Sequence, residues 1–256
     1  MLGVGTFRQL GALIKSYFVL LVAVLSGFNT VAASSAVEII HYQLGVSLGQ
    51  TDLPGGADIT DYGVNGGLTV SLGQSVGLSL AGSYAKSQID LNYGSCDVDN
   101  SAVGAGVFAR ASTVGRVGAN YTRGHAGYCT SSGLGTYSES TENDNYGVYA
   151  EYYFQAVTIG VTRSRSDYDA GSAFDSASAF ATWYVTPNVS LRLSAAGLDA
   201  KDTYRTSLEY QPAFLGTSTS LLLGYIKQPD VDTITVGFSY YFDKHFDLKT
   251  RDRQYR

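Results

Sequence analysis

The chain has 256 residues, a formal net charge of −5, and charged residues at 15% against a typical ~25%. The acidic balance gives no support to a nucleic-acid partner, which needs a basic face, so none is expected. A mean hydropathy of +0.00 suits a water-soluble protein and is equally blind to strands that alternate between lipid and water.

The N-terminus carries Arg8 and Lys15, then the apolar run "YFVLLVAVLSGF" from Tyr17 to Phe28, then small residues at Val31 and Ala33. This order predicts a secretory signal peptide over residues 1–33. As a membrane anchor the run is too short, since ~20 apolar residues are needed to cross hydrocarbon. No later stretch approaches a spanning helix.

Beyond it, segments of about ten residues with period-2 alternation recur along the chain. Strands are predicted at 39–49, 61–73, 76–91, 101–112, 116–128, 145–155, 157–168, 175–186, 188–198, 203–214, 217–228 and 232–242. In most, one parity is apolar, as with Tyr62, Val64, Leu68, Val70 and Leu72. The other is small or polar, as with Gly63, Asn65, Gly67, Thr69 and Ser71. A soluble sandwich would carry many Lys and Glu on its wet face; Gly, Ser and Thr fit a confined aqueous interior better.

The connections come in two kinds. Short ones fall at 73–75, 113–115, 155–156 and 186–188, and longer acidic ones at 50–60, 92–100, 129–144 and 167–174. Short turns at one end and long loops at the other suit a transmembrane barrel. The only two cysteines, Cys96 and Cys129, fall in the second and third long connections, and in an exported chain they are expected to form a disulfide between loops.

The final strand, "TITVGFSYYF", contains Thr235, Gly237, Tyr240 and Phe242 in the order polar-x-Gly-x-x-aromatic-x-aromatic. This resembles the assembly signal on the last strand of bacterial outer-membrane β-barrel proteins, a superfamily that includes porin-like channels. The resemblance implies an outer-membrane location, contact with lipid and lipopolysaccharide, and handling by the barrel assembly machinery. The family's signal usually ends at the final aromatic, whereas "DKHFDLKTRDRQYR" follows here. The expected organisation is therefore a signal peptide at 1–33, a barrel at 34–242 and a short periplasmic tail at 243–256. The expected fold is an all-β, antiparallel up-and-down transmembrane β-barrel of 12 strands, with 10 to 14 also compatible.

Function then rests on the interior. The inward parity predicts a lining dominated by residues such as Gly77, Ser79, Ala81 and Ser83, with scattered bulk at Phe108, Tyr149, Tyr153, Phe180 and Tyr184. Small linings leave room for water, so a porin-like channel for ions and small hydrophilic solutes is favoured. A closed structural or adhesion barrel and a lipid-modifying enzyme are the alternatives.

The same parity turns Arg110, Arg116, Arg192 and Arg205 inward with the acids Glu151 and Glu209. Arg192 is expected opposite Glu209, which leaves Arg110, Arg116 and Arg205 to give a weak anion preference. No catalytic motif surrounds His41, His125 or His245. The loop acids Asp97, Asp99, Glu139, Glu142 and Asp144 form no dedicated calcium loop, so neither catalysis, a metal nor a cofactor is expected.

Overall fold

A computed structural model describes residues 39–53, 57–91, 94–111, 113–132, 135–169, 171–198, 202–215, 218–229, 231–242 and 246–255; the expected signal peptide and His245 lie outside them. Its strands are β1 (Ile39–Leu53), β2 (Ala57–Leu72), β3 (Val76–Leu91), β4 (Gly94–Ala111), β5 (Gly115–Ser132) and β6 (Gly135–Phe154). They continue as β7 (Val157–Tyr168), β8 (Ala173–Thr186), β9 (Val189–Leu198), β10 (Thr203–Tyr210), β11 (Thr219–Gln228) and β12 (Val231–Tyr241). A short 3-10 turn, Ala213–Leu215, lies between β10 and β11, and one helix, α1 (Leu248–Tyr255), follows β12.

Each strand pairs antiparallel with its neighbours in chain order, and β1 closes on β12 from Gln43↔Tyr241 to Asp52↔Asp232. The closed 12-stranded barrel is the fold expected from the alternation.

Closure sorts the side chains into two populations. Outward positions carry exposed apolar residues throughout: Leu44, Val46 and Leu48 on β1, Leu78 and Leu80 on β3, Ile159 and Val161 on β7, Ile234 and Val236 on β12. Such a continuous apolar exterior is unstable in water and suited to lipid. On β2 the outward column runs from Tyr62 to Leu72. At ~3.4 Å per residue and a tilt of ~40°, that column spans about 25 Å, the height of a lipid-facing band.

Aromatic rings mark both edges of the band. Tyr62, Tyr84, Tyr121 and Tyr146 sit toward one end, and Tyr42, Tyr152, Phe154, Trp183, Tyr210, Tyr240 and Phe242 toward the other. Amphipathic rings settle at membrane–water boundaries.

Strand ends depart from the sequence reading at one end of the barrel. The stretches 50–60, 92–100 and 129–144, expected as loops, are largely strand in their described residues: β4 starts at Gly94, β5 runs to Ser132 and β6 starts at Gly135, while between β7 and β8 the strands stop at Tyr168 and resume at Ala173. β5 and β6 stay paired out to Ser132↔Gly135, well past the aromatic edge. Beyond lipid the outward column turns polar, as at Asp97 and Asp99, so the pairing persists while the apolar parity that reports it disappears. At the other end β10 stops at Tyr210 rather than 214, because Pro212 cannot donate to the ladder.

The assembly-signal residues divide by face. Thr235 and Gly237 point inward; Tyr240 and Phe242 point outward with ring centroids 4.8 Å apart, at the aromatic edge on the short-turn side. The chain ending at Phe242 is expected to retain a compact, heat-modifiable form in SDS gels, because no α1 residue takes part in the strand ladder. The double variant Tyr240→Ala, Phe242→Ala is expected to reduce the amount of that form in membranes. The reverse ranking would place the signal in the tail.

Candidate functional site: the barrel interior

Twelve strands spaced ~4.8 Å and tilted ~40° enclose a cylinder about 24 Å across between backbones, so the lining side chains decide how much of it is open. Toward the long-hairpin end the lining is small and accessible, with Asn65, Ala81 and Ser83 exposed on the inner face. Larger inward rings are kept out of the middle by glycines opposite them. Phe108 pairs across the sheet with Gly77 and Tyr149 with Gly118. A Cβ at Gly77 would lie 2.1 Å from Phe108 Cζ, and one at Gly118 would lie 2.5 Å from Tyr149 Cζ. Each ring thus lies flat against the wall in space that no other residue would leave.

The short-turn end is filled. Phe108, Tyr153, Tyr184 and Tyr241 are buried there, at 2%, 3%, 6% and 6% exposure. Across the β5–β6 ladder Arg116 faces Glu151, and its Nη2 donates to both carboxylate oxygens at 2.9 and 3.0 Å. The guanidinium also lies over the rings of Phe108 and Tyr149, 5.3 and 5.4 Å from their centroids. Arg192 stacks on Phe180 at 3.7 Å.

What fills this end besides the wall is α1. Asp247 caps it: the N–H and the hydroxyl of Thr250 donate to the Asp247 carboxylate at 2.8 and 3.1 Å. The Leu248 N–H donates to the Pro187 carbonyl at 3.0 Å, and Leu248 is fully buried. Arg251 is buried in an ion pair with Glu209 at 2.8 Å, and it lies over the Tyr241 ring. Arg253 donates to Thr158 Oγ1 at 3.2 Å and to the Val157 carbonyl at 2.8 Å, beside the rings of Tyr153 and Tyr184.

These contacts change the charge reading. Arg116 and Arg110 do point inward but are engaged: Arg116 by Glu151, Arg110 by Gln74 O, Ser71 Oγ and the carbonyl of Gln254 on α1. Of the three arginines expected to present free positive charge, Arg205 is the exposed one. Glu209, expected to offset Arg192, is ion-paired with Arg251. Parity shows the direction of a side chain and not its partner, and the partner here is the segment read as a periplasmic tail. The one local signal for that helix is the cap, Asp247-x-x-Thr250.

Cys96 and Cys129 are bridged, with Cα atoms 6.4 Å apart. The bridge joins the outer ends of neighbouring strands β4 and β5 rather than two loops, because both loops are strand. β4–β5 register pairing ends at Ser101↔His125, and beyond it the two strands stay in contact through the Gly127 N–H, which donates to Asn100 Oδ1 at 3.0 Å, and through the disulfide. In this outer region Arg123 pairs with Glu142. Tyr128 donates to Glu139 at 2.7 Å, and that hydrogen bond raises the phenol pKa. Among the described residues no group of three or more His, Cys, Asp or Glu is placed to hold a metal.

No family model and no curated protein matches the sequence. Solved structures share its fold. The translocator domain of the autotransporter NalP from Neisseria meningitidis aligns with a TM-score of 0.57 and 12% identity over 91% of this chain and 97% of that one. An outer-membrane channel from Pseudomonas putida F1 gives 0.59 and 10% over 82% and 97%. The KdgM porin in complex with disordered oligogalacturonate gives 0.55 and 8% over 78% and 99%. At these identities the likeness is one of fold: the chain is built as the closed antiparallel β-barrel that these outer-membrane proteins share.

The Arg116–Glu151 pair yields a test of how the filled end is held. Glu151→Ala leaves a buried guanidinium uncompensated, a loss of ~3–5 kcal/mol. The temperature at which the SDS-resistant form is lost should fall clearly. Replacing Arg116 and Glu151 together by Met should recover most of it. A single variant as heat-stable as the parent would show that the pair is solvated.

Proposed function

We propose that the protein is an outer-membrane channel for passive entry of ions and small hydrophilic solutes. The observation that carries this is the open half of the interior, where Asn65, Ala81 and Ser83 are accessible. Two of the compared structures, the Pseudomonas putida channel and the KdgM porin, are channels by name, which supports the same reading. A polar lining favours hydrophilic over apolar solutes.

In this reading the short turns face the periplasm and the long hairpins face outward. The N-terminal signal directs export. Tyr240 and Phe242, with Thr235 and Gly237, present the last strand to the assembly machinery. The acidic outer hairpins, carrying Asp97, Asp99, Glu139, Glu142 and Asp144, meet lipopolysaccharide through divalent ions. Arg205 gives the accessible interior a weak anion preference. No enzymatic role is assigned.

Planar-bilayer recordings of refolded protein test the reading, using the chain as it stands and the chain ending at Phe242. Discrete ion-conducting steps from at least one of them are expected. Silence from both, with a gel shift showing folded barrel, would favour a structural or adhesion barrel; hydrolysis of added lipid would favour an enzyme.

A further inference from the structure

The helix α1 belongs neither to the wall nor to its turns, yet it occupies the interior at the short-turn end. Its eight residues, Leu248–Tyr255, are fewer than the ~12–15 that an isolated helix needs even to be marginal in water. It is therefore helical because it is seated. Its anchors come from around the barrel: Arg110 on β4, Tyr153 on β6, Val157 and Thr158 on β7, Tyr184 on β8, Pro187 in the following turn, Glu209 on β10 and Tyr241 on β12. Contacts from so many strands place the helix across the mouth rather than along one side. A helix with side chains is about 10–12 Å wide, and here it lies among rings that already project from a wall about 24 Å across.

The way it is held matters as much as its position. Among the described side chains of α1, Leu248 is the one large apolar group that is buried, and the other anchors named are hydrogen bonds, ion pairs and rings over guanidinium groups. Water can replace polar partners when the helix leaves. The strand ladder is unaffected, since it closes from β1 to β12 without α1.

We propose that α1 is a reversible internal plug, which stops passage when seated between Glu209 and Tyr153 and opens the barrel when it withdraws on the short-turn side. The proposal rests on the channel reading and is tested so that the two can fail separately.

Three proteins are compared in planar bilayers: the full chain, the full chain with Arg251→Ala and Arg253→Ala, and the chain ending at Phe242. A heat-shifted gel band checks that each is folded. The full chain should be closed most of the time. Both altered proteins should conduct, with the fraction of time open raised about tenfold or more, the least expected from losing buried charged anchors. A synthetic peptide of residues 243–256 should close the shortened barrel when added on the short-turn side and not on the other. Equal conduction by all three overturns the plug and leaves the channel standing; silence from all three overturns both. Peptide block from the outer side only, or from neither side, overturns the seating. Should the shortened chain not fold, the double arginine variant decides alone, because its barrel residues are unchanged.

Discussion

A peptide group inside hydrocarbon has no water to bond with, so each strand that crosses must find its partners in the sheet, and the first strand must find the last. Here that demand is met by the β1–β12 seam, ten residue pairs from Gln43↔Tyr241 to Asp52↔Asp232. Once the seam is closed, the pleat assigns each side chain to lipid or to the interior. Everything outside must then be apolar, while everything inside is free to vary. Leu78 and Leu80 face out, and Gly77, Ser79 and Ala81 between and beside them face in, as the register with β2 and β4 requires.

The interior is where the chain departs from a plain tube. At the filled end, charges sit in a poorly hydrated space where an unpaired ion is costly, so Arg116 is matched by Glu151 and Arg251 by Glu209. Rings accompany the cations, Phe108 and Tyr149 for Arg116, Tyr241 for Arg251. Glycines opposite Phe108 and Tyr149 let the rings lie against the wall, and α1 packs in beside Tyr153 and Tyr241. The other end stays accessible, and the interior takes the form of a cup.

Legibility in the sequence follows from which constraints repeat. Lipid acts on every strand with period 2, so the wall and its two faces could be read from residues such as Tyr62, Val64 and Leu68 set against Gly63, Asn65 and Gly67. The outer hairpins read as loops because the outward side of "NYGSCDVDN" turns from apolar to acidic, at Asp97 and Asp99, although its described residues are strand and Val98 on the other side is buried. The cysteines signalled an oxidising compartment, but whether they linked loops or strands depended on those hidden strands. The directions of Arg110, Arg116 and Glu209 were legible from parity. Their partners were not, since two of them lie on α1, a helix too short to announce itself outside its seat.

A cup open at one end and stopped at the other has a direct test in the reach of a small, membrane-impermeant thiol reagent applied from outside. Single replacements Ser83→Cys and Ser190→Cys both point inward, one in the accessible half and one buried at the α1 end, while Leu80→Cys points into the lipid band. Rapid modification at position 83, with positions 190 and 80 protected, is the result the structure predicts. Equal modification at 83 and 190 in the intact chain would contradict it, because the interior would then be an unobstructed pore.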